Sequence, residues 1–116
     1  MVSKHGERDE VMDVKKISGI GEWTTRERKS EHEADLLYLA PNEKVFLVVR
    51  PKTLEVRCDA KLGKKLREDY ETVMESRYFG RGGIEIVPSG QLSTAEIEDL
   101  VRLSYNMTME IKNAEN

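Results

Sequence analysis

Residues 36–49 read LLYLAPNEKVFLVV, in which two apolar runs flank the segment Ala40-Pro41-Asn42-Glu43. Short apolar runs bounded by turn-forming residues are typical of β-strands. Pro41 presets a φ that suits a turn, and Asn42 tolerates the left-handed backbone region that tight turns often need. The stretch therefore predicts a β-hairpin with strands at 36–39 and 45–49, and Asn42 is the turn residue suited to the left-handed conformation.

A further strand is predicted immediately downstream of this hairpin. Pro51 and Lys52 mark a second turn, and residues 54–58 then read LEVRC. Successive side chains of a strand point to opposite faces. Leu54, Val56 and Cys58 are therefore expected on a buried face, and Glu55 and Arg57 on the opposite face, which carries charge.

Three helices are predicted from their periodicity and their caps. Asp9–Ser18 places apolar residues three positions apart and is followed by glycines that suit a helix end. Asp59 is a good N-cap for a second helix, in which apolar residues recur every four positions from 62 to 70. Ser93 and Glu96 form a capping box for the last helix, with an apolar staple around it.

The remaining segments complete the expected order of elements. Trp23–Lys29 is compatible with a strand that has one wet face, 73–83 is expected to be irregular, and a short strand is expected at 84–86. The order is helix, three or four strands, helix, one or two strands, helix. This order predicts an α+β fold in which helices pack on an antiparallel sheet.

Length and composition are consistent with one small domain. The chain has 116 residues, of which 38% are hydrophobic and 35% charged, enough for one compact core. No apolar run approaches the ~20 residues that a membrane span needs, and the start of the chain has no apolar core of a signal peptide. We expect a cytoplasmic monomer with a flexible tail at 1–8, a single domain at 9–112 and a frayed end at 113–116.

The chain offers little material for catalysis or metal binding. Cys58 is its only cysteine and His5 and His32 its only histidines, so a cysteine–histidine pair is not expected and Cys58 is predicted to be buried and inert. Residues 31–35 crowd His32 with three carboxylates, but structural zinc needs four Cys or His ligands. No phosphate-binding loop or hydrolase motif is present. We therefore predict a protein that is not an enzyme and binds no cofactor.

The charge is unevenly distributed along the chain. Its net charge is −3, yet residues 50–81 contain nine Lys and Arg against six Asp and Glu, which gives +3. Two groups within this segment are candidates for phosphate contacts. The first is the loop around Arg77, Tyr78, Phe79 and Arg81, where arginine can bind phosphate and the aromatic rings can stack on a base or a partner's ring; alternatively, the rings fill the core.

The second basic group lies on the predicted middle helix. Its candidates are Lys61, Lys64 and Lys65, with Arg67 beside them. Alternatively, these side chains form only the solvated face of an amphipathic helix.

Several short motifs together resemble the bacterial MmcQ/YjbR-like family. They are residues 17–22 (ISGIGE), 44–49 (KVFLVV), 54–59 (LEVRCD), 90–93 (GQLS), 96–101 (EIEDLV) and 104–105 (SY). The resemblance extends over about residues 11–111. It departs at 77–83, where many members carry a stretch with histidines and a tryptophan, and here the sequence is RYFGRGG.

The resemblance implies an α-β(3)-α-β(2)-α two-layer fold like that of CyaY/frataxin proteins and secretion chaperones. The family is commonly labelled DNA-binding, so it implies a small module that binds nucleic acid. The alternative is a protein-interaction or chaperone-like module with no nucleic-acid role. The arrangement of the basic residues discriminates between them, because nucleic-acid binding requires that they converge on one surface.

Overall fold

The computed structural model describes residues 12–29 and 34–111. Six strands and two α-helices follow a short 3₁₀ turn at Val14–Lys16. The strands are β1 (Thr24–Lys29), β2 (Ala34–Leu39), β3 (Val45–Val49), β4 (Leu54–Arg57), β5 (Val73–Ser76) and β6 (Gly80–Ile86). The helices are α1 (Ala60–Asp69), between β4 and β5, and α2 (Thr94–Met109), at the end.

All six strands form one antiparallel sheet in the order β1-β2-β3-β4-β6-β5. Helix α1 packs on β5 and β6, and α2 packs on β3 and β4. The main core lies between the helices and one face of the sheet, and Phe46, Leu54 and Ile84 are fully buried in it. The predicted α+β fold with helices on an antiparallel sheet is confirmed.

The hairpin of β2 and β3 has the predicted strands but a different left-handed residue. Positive φ falls on Glu43, at 69°, and not on Asn42. The side chain of Asn42 instead accepts a hydrogen bond from Lys44 N and donates one to Thr108 O at the end of α2 (2.8 Å). This amide joins the turn to the helix, and its two contacts account for the position that Asn42 takes in the turn.

Both α-helices begin at the capping residues that the sequence predicts. The Asp59 side chain accepts hydrogen bonds from Lys61 N and Leu62 N at the start of α1. Ser93 and Glu96 form the reciprocal capping box of α2. On the inner stripe of α2, the Ser104 hydroxyl is buried, donates to Phe46 O and accepts from a main-chain N–H of β4.

Three expectations about the elements are wrong. Four strands precede α1, which agrees with the three or four expected from the sequence but not with the three that the family resemblance implies, because Thr24–Lys29 forms a full edge strand. Residues 73–83 are largely a hairpin of β5 and β6, since Val73 and Ile86 pair across it. Of the predicted helix Asp9–Ser18, the described part forms only the 3₁₀ turn, and residues 9–11 lie outside the described residues.

The segments expected to be a tail and a frayed end, 1–8 and 113–116, also lie outside the described residues. Within the described part, neither α1 nor α2 combines the length and apolar character needed to cross a bilayer.

Candidate functional site

The sheet face opposite the helices, called the open face below, carries a second hydrophobic cluster. Leu37, Leu39, Val45 and Val48 are buried there, and Tyr78 and Phe79 pack over them. The two rings meet edge to face with centroids 4.9 Å apart. The loop between β5 and β6 therefore folds back across the open face and covers part of it.

A buried carboxylate fixes this loop. Glu55, on β4, accepts hydrogen bonds at Oε1 from the Ser76 hydroxyl (2.6 Å) and from Tyr78 N (2.8 Å). The Ser76 hydroxyl in turn accepts one from Phe79 N (2.7 Å). Glu55 lies on the charge-carrying face that its alternation predicts, but it is buried there as well, because the loop covers it and leaves its surface 0% exposed.

Two further carboxylates lie on the same face, and each is paired with arginine. Asp35 is 1% exposed and Glu85 is 4% exposed. A buried carboxylate is costly unless it is ion-paired and hydrogen-bonded. Arg50 is the partner of two of the three buried carboxylates. It contacts Asp35 Oδ2 (2.9 Å) through Nη1 and Glu55 through Nε.

Arg28 and Arg77 complete the network from two sides. Arg28, on β1, donates from Nη2 to Asp35 Oδ2 (3.1 Å). Arg77 makes two hydrogen bonds to Glu85, from Nε to Oε1 (3.0 Å) and from Nη2 to Oε2 (2.6 Å). The Thr53 hydroxyl also donates to Glu85 (2.6 Å).

Two guanidinium groups lie over the aromatic rings. Arg28 Cζ is 5.0 Å from the centroid of Tyr78, and Arg57 Cζ is 4.8 Å from that of Phe79. Both distances are within the range of cation–π attraction. The four arginines Arg28, Arg50, Arg57 and Arg77 are called the arginine cluster below.

The charges of this face are layered. The three carboxylates are buried, whereas the Arg28 side chain is 44% exposed and that of Arg77 is 61% exposed. The arginine cluster contributes four positive charges, and the three buried carboxylates contribute three negative charges. Solvent therefore meets guanidinium groups on this face, and the balancing negative charge lies beneath them.

The pKa shifts follow from these contacts. Burial alone would raise the pKa of Glu85, but the hydrogen bonds from Arg77 and Thr53 outweigh it and the pKa is lowered. The hydrogen bond to Glu85 raises the pKa of Arg77, and burial lowers that of Arg57. Arginine remains charged at any physiological pH, so the open face keeps its cations.

The predicted site residues do not converge on one surface, so the loop and the helix form no common basic patch, and the nucleic-acid interface predicted from both groups together loses most of its support. Arg77, Tyr78 and Phe79 lie in the loop on the open face, and Arg81 is exposed on β6. The helix α1, which carries Lys61, Lys64 and Lys65, packs on the other face of the sheet. Lys64 pairs with Glu68 (3.2 Å) and Lys65 with Asp69 (3.1 Å) on the helix surface.

Sequence patterns did not point to Arg28, Arg50, Arg57 or the buried carboxylates as members of this site. One signal was present: Glu55 and Arg57 alternate with apolar residues in a strand flanked by apolar strands. Charges on an inner strand require partners when both faces are covered. The partners themselves come from distant parts of the chain.

Cys58 lies on the helix side of the sheet and is 2% exposed, which confirms that it is buried. Burial, with a contribution from Asp59, raises the pKa of its thiol to about 11.

Both histidines and residues 31 and 33 lie outside the described residues. Asp35, the third carboxylate of segment 31–35, forms ion pairs with Arg28 and Arg50.

These features define an α+β protein with one helix-covered sheet face and one face of arginines over buried carboxylates. Its fold is similar to that of the crystal structure of Deinococcus radiodurans protein DR2400, which has a DUF419 domain. The TM-score is 0.63 and the identity 15%, over 78% of this chain and 74% of that one. No protein-family model matches the sequence, and no curated protein matches it. At this identity the comparison shows a common fold.

Proposed function

We propose that the protein is a small non-enzymatic module of the MmcQ/YjbR type that binds nucleic acid, DNA in the first instance, through its phosphate backbone. The open face is the binding surface. The observation that carries the proposal is that Arg28, on β1, and Arg77, in the loop, are exposed to solvent and held from behind by buried carboxylates.

Arginines that are already fixed by hydrogen bonds to carboxylates suit phosphate binding, because their side chains lose little further conformational freedom when they bind a ligand. Arg77 directs Nε and Nη2 to Glu85, and its Nη1 has no acceptor among the described residues. Arg28 uses Nη2 for Asp35 and places its guanidinium group over the ring of Tyr78. Each fork therefore keeps donors for a phosphate oxygen while its position is fixed.

The aromatic side chains have a supporting role in this proposal. Tyr78 and Phe79 are half-buried on the second hydrophobic cluster, and each has an arginine over its ring. They position guanidinium groups and leave little ring surface for stacking with bases. Binding through phosphates alone carries no direct sequence information, so we expect similar affinity for different sequences.

The test is a fluorescence anisotropy titration with a 20-base-pair duplex and its separate strands, at several salt concentrations. Replacement of Arg28 and Arg77 by alanine should weaken binding about equally for different sequences. It should also lower the salt slope by up to about two units, near one for each lost phosphate contact. The matched control, Lys64→Ala with Lys65→Ala, removes the same charge from the helix side and should leave binding nearly unchanged.

A second variant separates binding from stability, because Arg77→Ala leaves Glu85 without its main partner. Glu85→Gln keeps a side-chain acceptor for Arg77 and removes the negative charge beneath it. This variant should bind nucleic acid more tightly than the wild type. No binding at low salt, or an equal loss in the lysine control, would contradict the proposal.

A protein-interaction module is the second candidate function. The observation that favours it is the outer edge of β1, a terminal strand whose six residues are all exposed, because such an edge can pair with a strand of another protein.

A further inference from the structure

The edge of the sheet at β1 presents six exposed residues, Thr24–Lys29. β1 is the terminal strand of the sheet and pairs with β2 over its whole length. Within residues 12–29 and 34–111, no strand pairs with its outer side. An edge strand keeps a row of main-chain N–H and C=O groups that can accept another strand.

The four charged residues of β1 divide between the two faces of the sheet. Arg26 lies directly opposite Leu37, and Arg28 opposite Asp35. Directly opposite residues of an antiparallel pair point to the same face, so both arginines lie on the open face. Glu27, opposite Leu36, and Lys29, opposite Ala34, lie on the other face. An added strand would therefore meet two arginines at alternate positions along one face.

A second copy of this chain is a poor occupant of the edge. When two antiparallel copies of β1 overlap along most of their length, residues of the same face come opposite each other. Arg26 then faces Arg26 or Arg28 of the other copy. Like charges directly opposite in a sheet are destabilising, so the arginines protect the edge against self-pairing.

We propose that the outer edge of β1 is a docking site for an extended acidic segment of another protein, which adds to the sheet as a seventh strand. Carboxylates at alternate positions of that segment lie opposite Arg26 and Arg28, and uncharged residues lie between them. Arg26 makes no ion pair with a described residue, so its charge is available to the added strand. Main-chain hydrogen bonds hold the segment, and the alternating charges set its register.

The test uses a peptide labelled with fluorescein at its N-terminus, fluorescein-TEVEVET-amide, and its counterpart with lysine in place of glutamate. The acidic peptide should bind and the basic one should not. Arg26→Glu should weaken the acidic peptide by about tenfold. Lys64→Glu makes the same charge change on α1, which packs on β5 and β6 at the far end of the sheet, and should change binding less than about twofold.

Strand addition is separated from simple charge attraction by two further peptides. Each carries N-methyl groups on alternate residues, because successive N–H groups of a strand point to its opposite edges. One peptide is methylated at the N–H groups of one edge, and the second peptide at those of the other edge. One edge pairs with β1 and the other faces solvent, so one peptide should fail to bind and the other should bind normally. Hydrogen exchange should show new protection at amides of 24–29.

Equal binding of the two N-methylated peptides, or equal effects of Arg26→Glu and Lys64→Glu, would overturn the proposal. So would peptide binding that protects the loop at 77–79 and leaves β1 unchanged. Oligonucleotides do not take part in this experiment, so its outcome is independent of whether the open face binds nucleic acid.

Discussion

The guanidinium of Arg77 and the carboxylate of Glu85 form two parallel hydrogen bonds, of 3.0 and 2.6 Å, across the hairpin of β5 and β6. Arg77 is exposed and Glu85 is buried. The pair therefore joins the solvent surface of the open face to its interior. It makes the stability of the fold depend on the ionisation of Glu85.

Acid should destabilise the protein partly through this pair. The pKa of Glu85 is lower in the folded state than its ordinary value of 4.5, so ionised Glu85 stabilises the fold. This stabilisation is complete above about pH 4.5 and is lost as the pH falls through the folded pKa. Urea unfolding of the wild type between pH 3 and 7 should show this loss.

The control for that experiment is Glu85→Gln, which cannot titrate. Other carboxylates contribute equally to both proteins, so the difference between their pH profiles isolates Glu85. The wild type should lose more stability than the variant on acidification. Parallel profiles would mean that Arg77 does not lower the pKa of Glu85.

Ser93→Ala should destabilise the protein by about 1 kcal/mol. The Ser93 hydroxyl accepts from Glu96 N (3.1 Å), and the Glu96 side chain accepts from Ser93 N (2.8 Å). Thermal and urea unfolding measure the change, with Ser89→Ala, at an exposed serine before the cap, as the control. An unchanged midpoint for Ser93→Ala would show that the capping box does not stabilise α2.

Cys58 should react slowly with alkylating reagents in the native protein at neutral pH. Its thiol is buried and has a pKa of about 11, so little thiolate is present. Cys58→Ala should lower the free energy of unfolding by roughly 1 kcal/mol and leave nucleic-acid and peptide binding intact. Denatured protein provides the control for reagent activity, and equally rapid labelling of the native protein would contradict burial.

Asn42→Ala should cost about 1 kcal/mol, because the turn loses its hydrogen bonds to Lys44 N and Thr108 O. The effect should also appear as faster hydrogen exchange at the end of α2. Asn42→Asp retains the acceptor for Lys44 N but lacks the donor to Thr108 O, so it should retain the turn contact and lose the helix contact. If Asn42→Asp matches the wild type, the contact with α2 contributes nothing to stability.

The amino-acid sequence by itself determined the elements whose signals are local. The hairpin at 36–49 follows from two apolar runs around a turn, and the start of α2 from Ser93 and Glu96 three positions apart. Burial of Cys58 follows from its alternation with charged residues. Each pattern expresses the period of one strand or the cap of one helix, so neighbouring residues suffice to predict it.

Only the tertiary structure decided which charges meet. Asp35 and Glu55 are brought to Arg50 by the pairing of three strands, and Arg28 reaches Tyr78 because the loop at 77–79 crosses the open face. The same arrangement separates Arg77 from the lysines of α1, although both belong to one basic segment of the chain. The physical reason is that strand order and register join residues far apart in sequence, and local periodicity carries no information about either.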